Sequence, residues 1–171
     1  RVKNLVVDPV MVAASGDKLL QDQAIGNLIN DLLPIASLIT PNLPEAEIIL
    51  NRRINTREEM LQAAKELSHT GANSVLLKSG HFEGDQLTDI FYIPLEDQLM
   101  EIPRQRIDTK NTHGTGCTLS SAIAAWLAHG VSLREAIQKG QEYTHQAIAE
   151  GAHYKLGDGH GPVHHFYNYW T

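Results

Sequence analysis

Cysteine is almost absent from this sequence, which contains one, Cys117, among its 171 residues. A single cysteine cannot form an internal disulfide, and it fits a protein that works in a reducing compartment. No apolar run approaches the roughly 18 residues of a membrane-spanning helix, and no secretory signal pattern is visible. We therefore expect a cytoplasmic globular protein with no membrane partner.

Positive charge is also scarce. Lys and Arg number 14 against 20 Asp and Glu, which gives a net charge of −6, and the basic residues form no run. A nucleic-acid-binding surface needs a basic patch, so we expect no nucleic-acid partner. A small anion is a different case, because a few backbone N–H groups and one lysine can hold it locally.

The pattern of apolar residues predicts strands that alternate with helices. Three buried, β-branched runs are expected to be neighbouring parallel strands: Val2 to Val7, Ser37 to Ile39, and Ser74 to Leu77. Residues Gln86 to Ile107 alternate like edge strands or a hairpin, and Pro94 and Pro103 limit regular pairing there.

Helix signals lie between and after these strands. Apolar residues repeat every four positions from Lys18 to Leu33, at Leu20, Ala24, Leu28 and Leu32. Capping boxes are expected at Asn42 with Glu45, with Pro44 tolerated in the first turn, and at Thr56 with Glu59. Two further helices are expected at about Gly114 to His129 and Ser132 to Glu150, the second capped by Ser132 and Glu135.

These elements predict one domain over residues 1–171, with an α/β fold of three layers and a mainly parallel sheet. The sequence opens on a core strand and does not begin with Met. We therefore expect that earlier residues are missing from this chain. The sheet should then have an unfinished edge or an exposed apolar face.

The stretch "NTHGTGCTLSSAIAAW", residues 111–126, combines a glycine-rich turn with the start of a helix. The first N–H groups of a helix have no partner inside it, and Gly114 and Gly116 let an anion approach the backbone closely. Thr115 and Thr118 can add hydroxyl donors. The motif is neither the Walker A motif nor the dinucleotide fingerprint. By itself the glycine pair fits an anion site or simply a tight turn.

Cys117 lies at the junction of the turn and the helix. A free cysteine among small residues often packs as a small hydrophobic side chain. In a first helical turn, however, the helix dipole and the N–H groups favour a thiolate, which can act as a base or a nucleophile. A Cys-His hydrolase built on Cys117 and His113 would require the imidazole within hydrogen-bonding reach of the sulfur.

Five ordered motifs together resemble the hydroxymethylpyrimidine/phosphomethylpyrimidine kinases of the ribokinase-like superfamily. The motifs are "VVDPVM", "TPNLPEAE", "LLKSGH", "NTHGTGCTLSSAIAA" and "GHGPVHHF". The resemblance implies a ribokinase-like three-layer fold and an enzyme of thiamine biosynthesis. Such an enzyme uses ATP and Mg²⁺ to phosphorylate the hydroxymethylpyrimidine and then its monophosphate. It also implies that the N-terminal part of the family has no counterpart here, and that the protein is a homodimer.

The resemblance also implies roles for individual residues. Gly114, Thr115, Gly116 and Cys117 would form the anion hole, with Cys117 deprotonating the substrate hydroxyl. The other roles are phosphate binding by Lys78, Thr112 and Thr118, magnesium binding through water by Asp8 and Glu45, and substrate binding by Val10.

Each acidic residue and the lysine also has a simpler interpretation from the sequence alone. Asp8 can cap the turn at Pro9, Glu45 can serve only the capping box, and a lysine that ends a strand is usually solvated. Ligands nevertheless collect at the carboxyl ends of strands in open α/β sheets, which favours Asp8, Thr40 and Lys78 lying together.

The histidines of "GHGPVHHF" suggest a metal site, but the sequence favours a structural or surface role for His160, His164 and His165. In an extended segment His164 and His165 point to opposite faces, and no acidic or cysteine ligand is near them in sequence.

Two residues depart from the family pattern, since Gln141 and Asp158 stand where members of the family often have lysine. Loss of positive charge at Gln141 would weaken contacts with the ATP phosphates.

Pyridoxal kinase is the alternative enzyme, and a non-catalytic protein that binds pyrimidines or nucleotides is the alternative from another class.

Overall fold

The computed structural model describes residues 3–12, 19–80 and 84–170. Within these ranges, five strands form one sheet in the order β1-β2-β3-β4-β5. Their bounds are Val6–Val7 (β1), Leu38–Ile39 (β2), Val75–Leu77 (β3), Gln86–Ile93 (β4) and Gln98–Gln105 (β5). The first two pairings are parallel, with Val6 opposite Leu38 and Ile39 opposite Val75. The predicted parallel neighbours are therefore confirmed, although β1 is shorter than the predicted run Val2 to Val7, of which Val2 lies outside the described residues.

The other two pairings are antiparallel, so the sheet is evenly mixed rather than mainly parallel. The difference comes from the predicted hairpin, whose strands β4 and β5 pair along their whole lengths. A 3₁₀ turn, Pro94–Glu96, joins them, and Asp97 follows it in the left-handed region with φ of 43°. Pro103 is accommodated because β5 is an edge strand.

β1 lies at the opposite edge of the described sheet, and within the described ranges only β2 pairs with it. The expectation of an unfinished edge stays a prediction.

The described part of the chain also contains five α-helices. They are Asp22–Asn27 (α1), Leu43–Leu50 (α2), Arg57–Leu67 (α3), Thr115–Ala128 (α4) and Leu133–Gly151 (α5). Both predicted capping boxes are present, at Asn42 with Glu45 and at Thr56 with Glu59. Ser132 caps α5 by accepting a hydrogen bond from the backbone N–H of Glu135. No helix in the described parts of the chain is both long and apolar enough to span a bilayer.

The predicted helix from Lys18 to Leu33 differs from the structure. Lys18 lies outside the described residues, and α1 begins only at Asp22 and passes at Leu28–Leu32 into a π-helical turn. Ile25 and Leu33 are the buried residues, whereas Leu32 is 37% exposed. The apolar face is therefore one residue out of step with the predicted one.

Two compact units divide the chain, residues 1–105 and residues 106–171. The first contains the sheet with α1, α2 and α3, and its core joins β1–β4 to apolar residues of α2 and α3. The second contains α4 and α5. These helices pack so closely that a Cβ at Gly140 would lie 2.7 Å from Cγ1 of Ile123. The α/β class is confirmed, and the single-domain organisation stays a prediction.

Candidate active site

Three side chains meet at the carboxyl ends of β1, β2 and β3. Oδ1 of Asp8 accepts hydrogen bonds from Nζ of Lys78 at 2.8 Å and from Oγ1 of Thr40 at 2.9 Å. The side chains of Lys78 and Asp8 are only 12% and 11% exposed, and Thr40 is fully buried. The expected grouping of Asp8, Thr40 and Lys78 is confirmed. The two simpler interpretations, a solvated lysine and an aspartate that only caps a turn, are wrong.

Glu45 belongs to the same group. It lies in the first turn of α2, where its Oε2 accepts from the backbone N–H of Asn42 at 2.8 Å and completes the capping box. Burial raises the pKa of Glu45 above its ordinary value, while the hydrogen bond from Asn42 and the positive charge of Lys78 act in the opposite direction. The carboxyl group is therefore both structural and electrostatically linked to the Asp8–Lys78 ion pair.

Oxygen ligands of this kind suit Mg²⁺, which prefers carboxylates and keeps much of its water shell. Within the described ranges, no three His, Cys, Asp or Glu side chains converge to hold a metal. Asp8 already shares one oxygen with Lys78 and Thr40, and the Glu45 carboxylate accepts from the backbone N–H groups of both Asn42 and Met11. Because these oxygens are already used, Asp8 and Glu45 would fit Mg²⁺ through its water shell rather than as direct ligands.

The glycine-rich turn lies in the second unit, at the N-terminus of α4. Gly114 precedes the helix with φ of 84°, which glycine adopts without strain. The N–H of Thr115 donates to the carbonyl of Thr112 at 3.3 Å, and that of Thr118 donates to the carbonyl of Gly114 at 2.8 Å. Between them, the N–H groups of Gly116 and Cys117 donate to no acceptor in the described part of the chain. Two adjacent backbone donors are therefore available to an anion.

The hydroxyl groups of Thr115 and Thr118 were expected to be additional donors to an anion, but both already donate within the turn. Oγ1 of Thr115 donates to the carbonyl of Thr112 at 2.7 Å, and Oγ1 of Thr118 donates to the carbonyl of Gly114 at 2.8 Å. Both hydroxyl protons are thus used to hold the turn. The backbone of Gly116 and Cys117, rather than these hydroxyls, carries the free donors.

Cys117 is the third residue of α4 and is exposed. The interpretation of this cysteine as a packed core residue is therefore wrong. This residue also carries one of the two free N–H groups at the start of the helix. Across the described residues no hydrogen bond joins the ring of His113 to Cys117, so the geometry gives a Cys-His hydrolase no support.

Sequence reasoning missed the residues that support the turn. Asn111 is buried, and its Nδ2 donates to the carbonyls of Gly151 and Tyr154, each at 2.7 Å. A Cβ at Gly161 would collide with the Asn111 amide, so only glycine fits there. The only signal in the sequence was the asparagine that opens "NTHGTG", and nothing there identified its distant partners.

The three histidines of "GHGPVHHF" have separate surroundings. His160 lies 3.2 Å from the carbonyl of Lys110, the His164 ring contacts Tyr154 and Trp170, and His165 contacts Thr118 at 2.9 Å.

The remaining predicted positions are divided between the two units. Val10, in the first unit, is 41% exposed, and its N–H donates to the carbonyl of Asp8 at 2.9 Å. In the second unit, Gln141 is buried in α5 and Asp158 is exposed.

Comparison with known proteins identifies strong sequence similarity. A family profile for phosphomethylpyrimidine kinase matches residues 1–164. The hydroxymethylpyrimidine/phosphomethylpyrimidine kinase of Rhizobium meliloti is 50% identical over 169 residues, covering 98% of this chain and 63% of the relative. Its counterpart in Escherichia coli is 42% identical, covering 99% of this chain and 64% of the relative. The chain thus spans just under two thirds of these curated relatives.

Solved structures agree with the fold. The pyridoxal kinase from Staphylococcus aureus in complex with AMP-PCP matches with a TM-score of 0.87 and 34% identity, over 98% of this chain and 60% of that protein. The phosphomethylpyrimidine kinase from Clostridium difficile 630 matches with a TM-score of 0.71 and 38% identity, over 85% of this chain and 58% of that one. These matches confirm the predicted fold class.

Proposed function

The chain belongs to the phosphomethylpyrimidine kinase family, and on this basis we propose that the protein transfers a phosphoryl group from ATP to 4-amino-5-hydroxymethyl-2-methylpyrimidine. A second transfer from ATP to the resulting monophosphate gives the diphosphate used in thiamine biosynthesis. The identities of 42% and 50% to enzymes named for both activities support the two-step proposal.

One observation of the geometry supports phosphoryl transfer in particular. The exposed thiol of Cys117 lies at a helix N-terminus beside the free N–H groups of Gly116 and Cys117. Phosphoryl transfer needs mainly positioning and stabilisation of negative charge on the transferred group, and two aligned backbone donors supply both.

In the first step, the thiolate of Cys117 takes the proton of the substrate hydroxymethyl group. The alkoxide oxygen forms a bond to the γ-phosphorus as the bond to the leaving ADP oxygen breaks. In the second step the acceptor is already an anionic phosphate, so the base matters less and the anion hole matters more.

The Asp8–Lys78 pair and Glu45 are assigned to the phosphate and metal side of the reaction. Lys78 supplies positive charge toward a phosphate, and Asp8 and Glu45 would hold Mg²⁺ through water. Bound Mg²⁺ would neutralise charge on the ATP phosphates. In this proposal Thr112 contributes at the anion hole and Val10 contacts the pyrimidine.

Pyridoxal kinase is the second candidate, and it is favoured by the structural match. The TM-score of 0.87 to the Staphylococcus aureus enzyme exceeds the 0.71 to the phosphomethylpyrimidine kinase from Clostridium difficile. Sequence identity favours the pyrimidine substrate, at 50% for the Rhizobium meliloti relative against 34% for that pyridoxal kinase. Because residue identities decide substrate contacts more directly than backbone similarity, we place the pyrimidine first.

The deciding experiment compares turnover by the full-length protein with ATP and either hydroxymethylpyrimidine or pyridoxal, with Mg²⁺ present and with Mg²⁺ chelated. We expect kcat/KM to be higher for hydroxymethylpyrimidine, and the monophosphate to be an acceptor. Higher kcat/KM for pyridoxal would select the second candidate. Binding of ATP or pyrimidine without any turnover would indicate a non-catalytic binding protein.

A further inference from the structure

The hydroxyl group of Thr118 has two close neighbours but only one proton. Its Oγ1 lies 2.8 Å from the carbonyl oxygen of Gly114 and 2.9 Å from Nε2 of His165. Two oxygens at 2.8 Å need a proton between them, so the hydroxyl donates to Gly114. The same hydroxyl must then accept from His165, which places a proton on Nε2 of that ring.

The residue that donates this hydrogen bond is itself fixed in place. The hydroxyl of Tyr143, in α5, donates to the carbonyl of His165 at 2.9 Å. The N–H of the preceding residue, His164, donates to the carbonyl of Ala147 at 2.8 Å. Two bonds to α5 therefore hold the backbone from which the His165 ring reaches Thr118.

The same segment also contacts the other end of the glycine-rich turn. The N–H of His113 donates to the carbonyl of Gly161 at 3.0 Å, and His113 pairs with Pro162 in an isolated parallel bridge. Residues 161–165 thus contact the chain on both sides of Gly114, immediately before it and at Thr118.

We propose that His165 is a positioning residue for the anion-binding turn. The chain of bonds from Nε2–H of His165 through the Thr118 hydroxyl fixes the carbonyl of Gly114. That carbonyl shares a rigid peptide plane with the N–H of Thr115, so its direction sets how the following N–H groups of Gly116 and Cys117 are aimed. The anion whose binding this alignment serves is the phosphoryl group, so the inference rests on the proposed kinase function.

The test uses three variants of the full-length protein. His165→Met removes the ring donor, and His165→Gln places an amide N–H near the position of Nε2. His164→Met is the matched control, because the adjacent His164 ring packs against Tyr154 and Trp170 rather than Thr118. We expect kcat/KM for ATP to fall about tenfold in His165→Met, the upper end for one neutral hydrogen bond. His165→Gln should recover most of this loss, and His164→Met should match the wild type.

Two further measurements do not depend on kinase activity. Nitrogen-15 NMR of the histidine rings should show a proton on Nε2 of His165. Hydrogen exchange of the Thr118 amide should quicken in His165→Met but not in His164→Met. A neutral His165 ring protonated only on Nδ1 would overturn the proposal, and this result does not depend on whether His165→Met folds. Equal kinetic effects of His165→Met and His164→Met would also overturn it. So would a His165→Gln variant that recovers none of the lost activity. A wild-type protein without kinase activity would refute the proposed function, while the ring and exchange measurements would still decide the role of His165.

Discussion

The buried ion pair between Asp89 and Arg104 gives a stability prediction whose size follows from its contacts. Asp89 lies in β4 with no exposed surface, and its Oδ2 lies 2.6 Å from Nη2 of Arg104 in the neighbouring strand β5. Its Oδ1 accepts from the N–H of Ser79 at 2.8 Å and from the Ser79 hydroxyl at 3.2 Å. The carboxylate therefore joins the hairpin to the residue that follows Lys78.

The substitution Asp89→Asn removes the negative charge of this side chain but keeps nearly the same size and shape. The amide oxygen of asparagine can still accept from Ser79, but the counter-charge of Arg104 is lost. The Arg104 side chain is only 17% exposed, so water compensates it poorly. Breaking a buried pair by removing one charge typically costs about 3–5 kcal/mol, and we expect Asp89→Asn to lower the free energy of unfolding by about this amount.

Urea unfolding of the full-length protein measures the effect, in the wild-type and in an Arg104→Met background. In the second background Asp89→Asn should cost little or be stabilising, because no buried guanidinium is left without its partner. Arg53→Met is the control for the Arg-to-Met change, since the Arg53 side chain is 83% exposed and pairs only at the surface with Glu47 at 2.8 Å, so its loss should cost at most about 1 kcal/mol. A cost below about 1 kcal/mol for Asp89→Asn in the wild-type background would refute this reasoning, because surface pairs already reach that value.

Three further predictions concern the site. Cys117→Ser should slow phosphorylation of the hydroxymethyl substrate by about two to four orders of magnitude, as expected for loss of a general base, and slow transfer to the monophosphate less; equal small losses in steady-state rates would refute the base role. Gly116→Val should sharply weaken ATP binding, measured by calorimetry, because a branched side chain would occupy the space that the phosphate needs; unchanged affinity in a folded variant would place the phosphate elsewhere. Burial raises the pKa of Glu45 above 4.5, so its protonation stabilises the fold below pH 4.5 and this contribution is lost as the pH rises through the raised value. Glu45→Gln should remove that part of the pH dependence in urea unfolding, whereas identical profiles for the two proteins would contradict the shift.

Local signals predicted much of the fold. Asn42 with Glu45 and Thr56 with Glu59 fixed two helix starts to the residue, because both halves of a capping box lie within four positions. The predicted apolar face failed at two places: Ile25 is the buried residue within α1 itself, and the π-helical turn at Leu28–Leu32 then changes the number of residues per turn. No periodicity in the sequence distinguishes that turn from a regular helix with the apolar face one residue earlier.

Part of the candidate site was also predicted from the positions of residues relative to the strands. Asp8, Thr40 and Lys78 were expected together because each follows a strand of one sheet, and their hydrogen bonds confirm it. Contacts across long stretches of chain were not predictable, such as the bonds from Asn111 to Gly151 and Tyr154. They depend on tertiary packing, which a single sequence does not encode as a repeat or a motif.

The contact between Thr118 and His165 has a consequence for the order of folding. The two residues are 47 positions apart in the chain. The turn and the start of α4 need only local bonds, but closing the loop to His165 costs chain entropy that is recovered once α4 and α5 have packed. We therefore expect the glycine-rich turn to reach its final geometry only after α4 and α5 have packed.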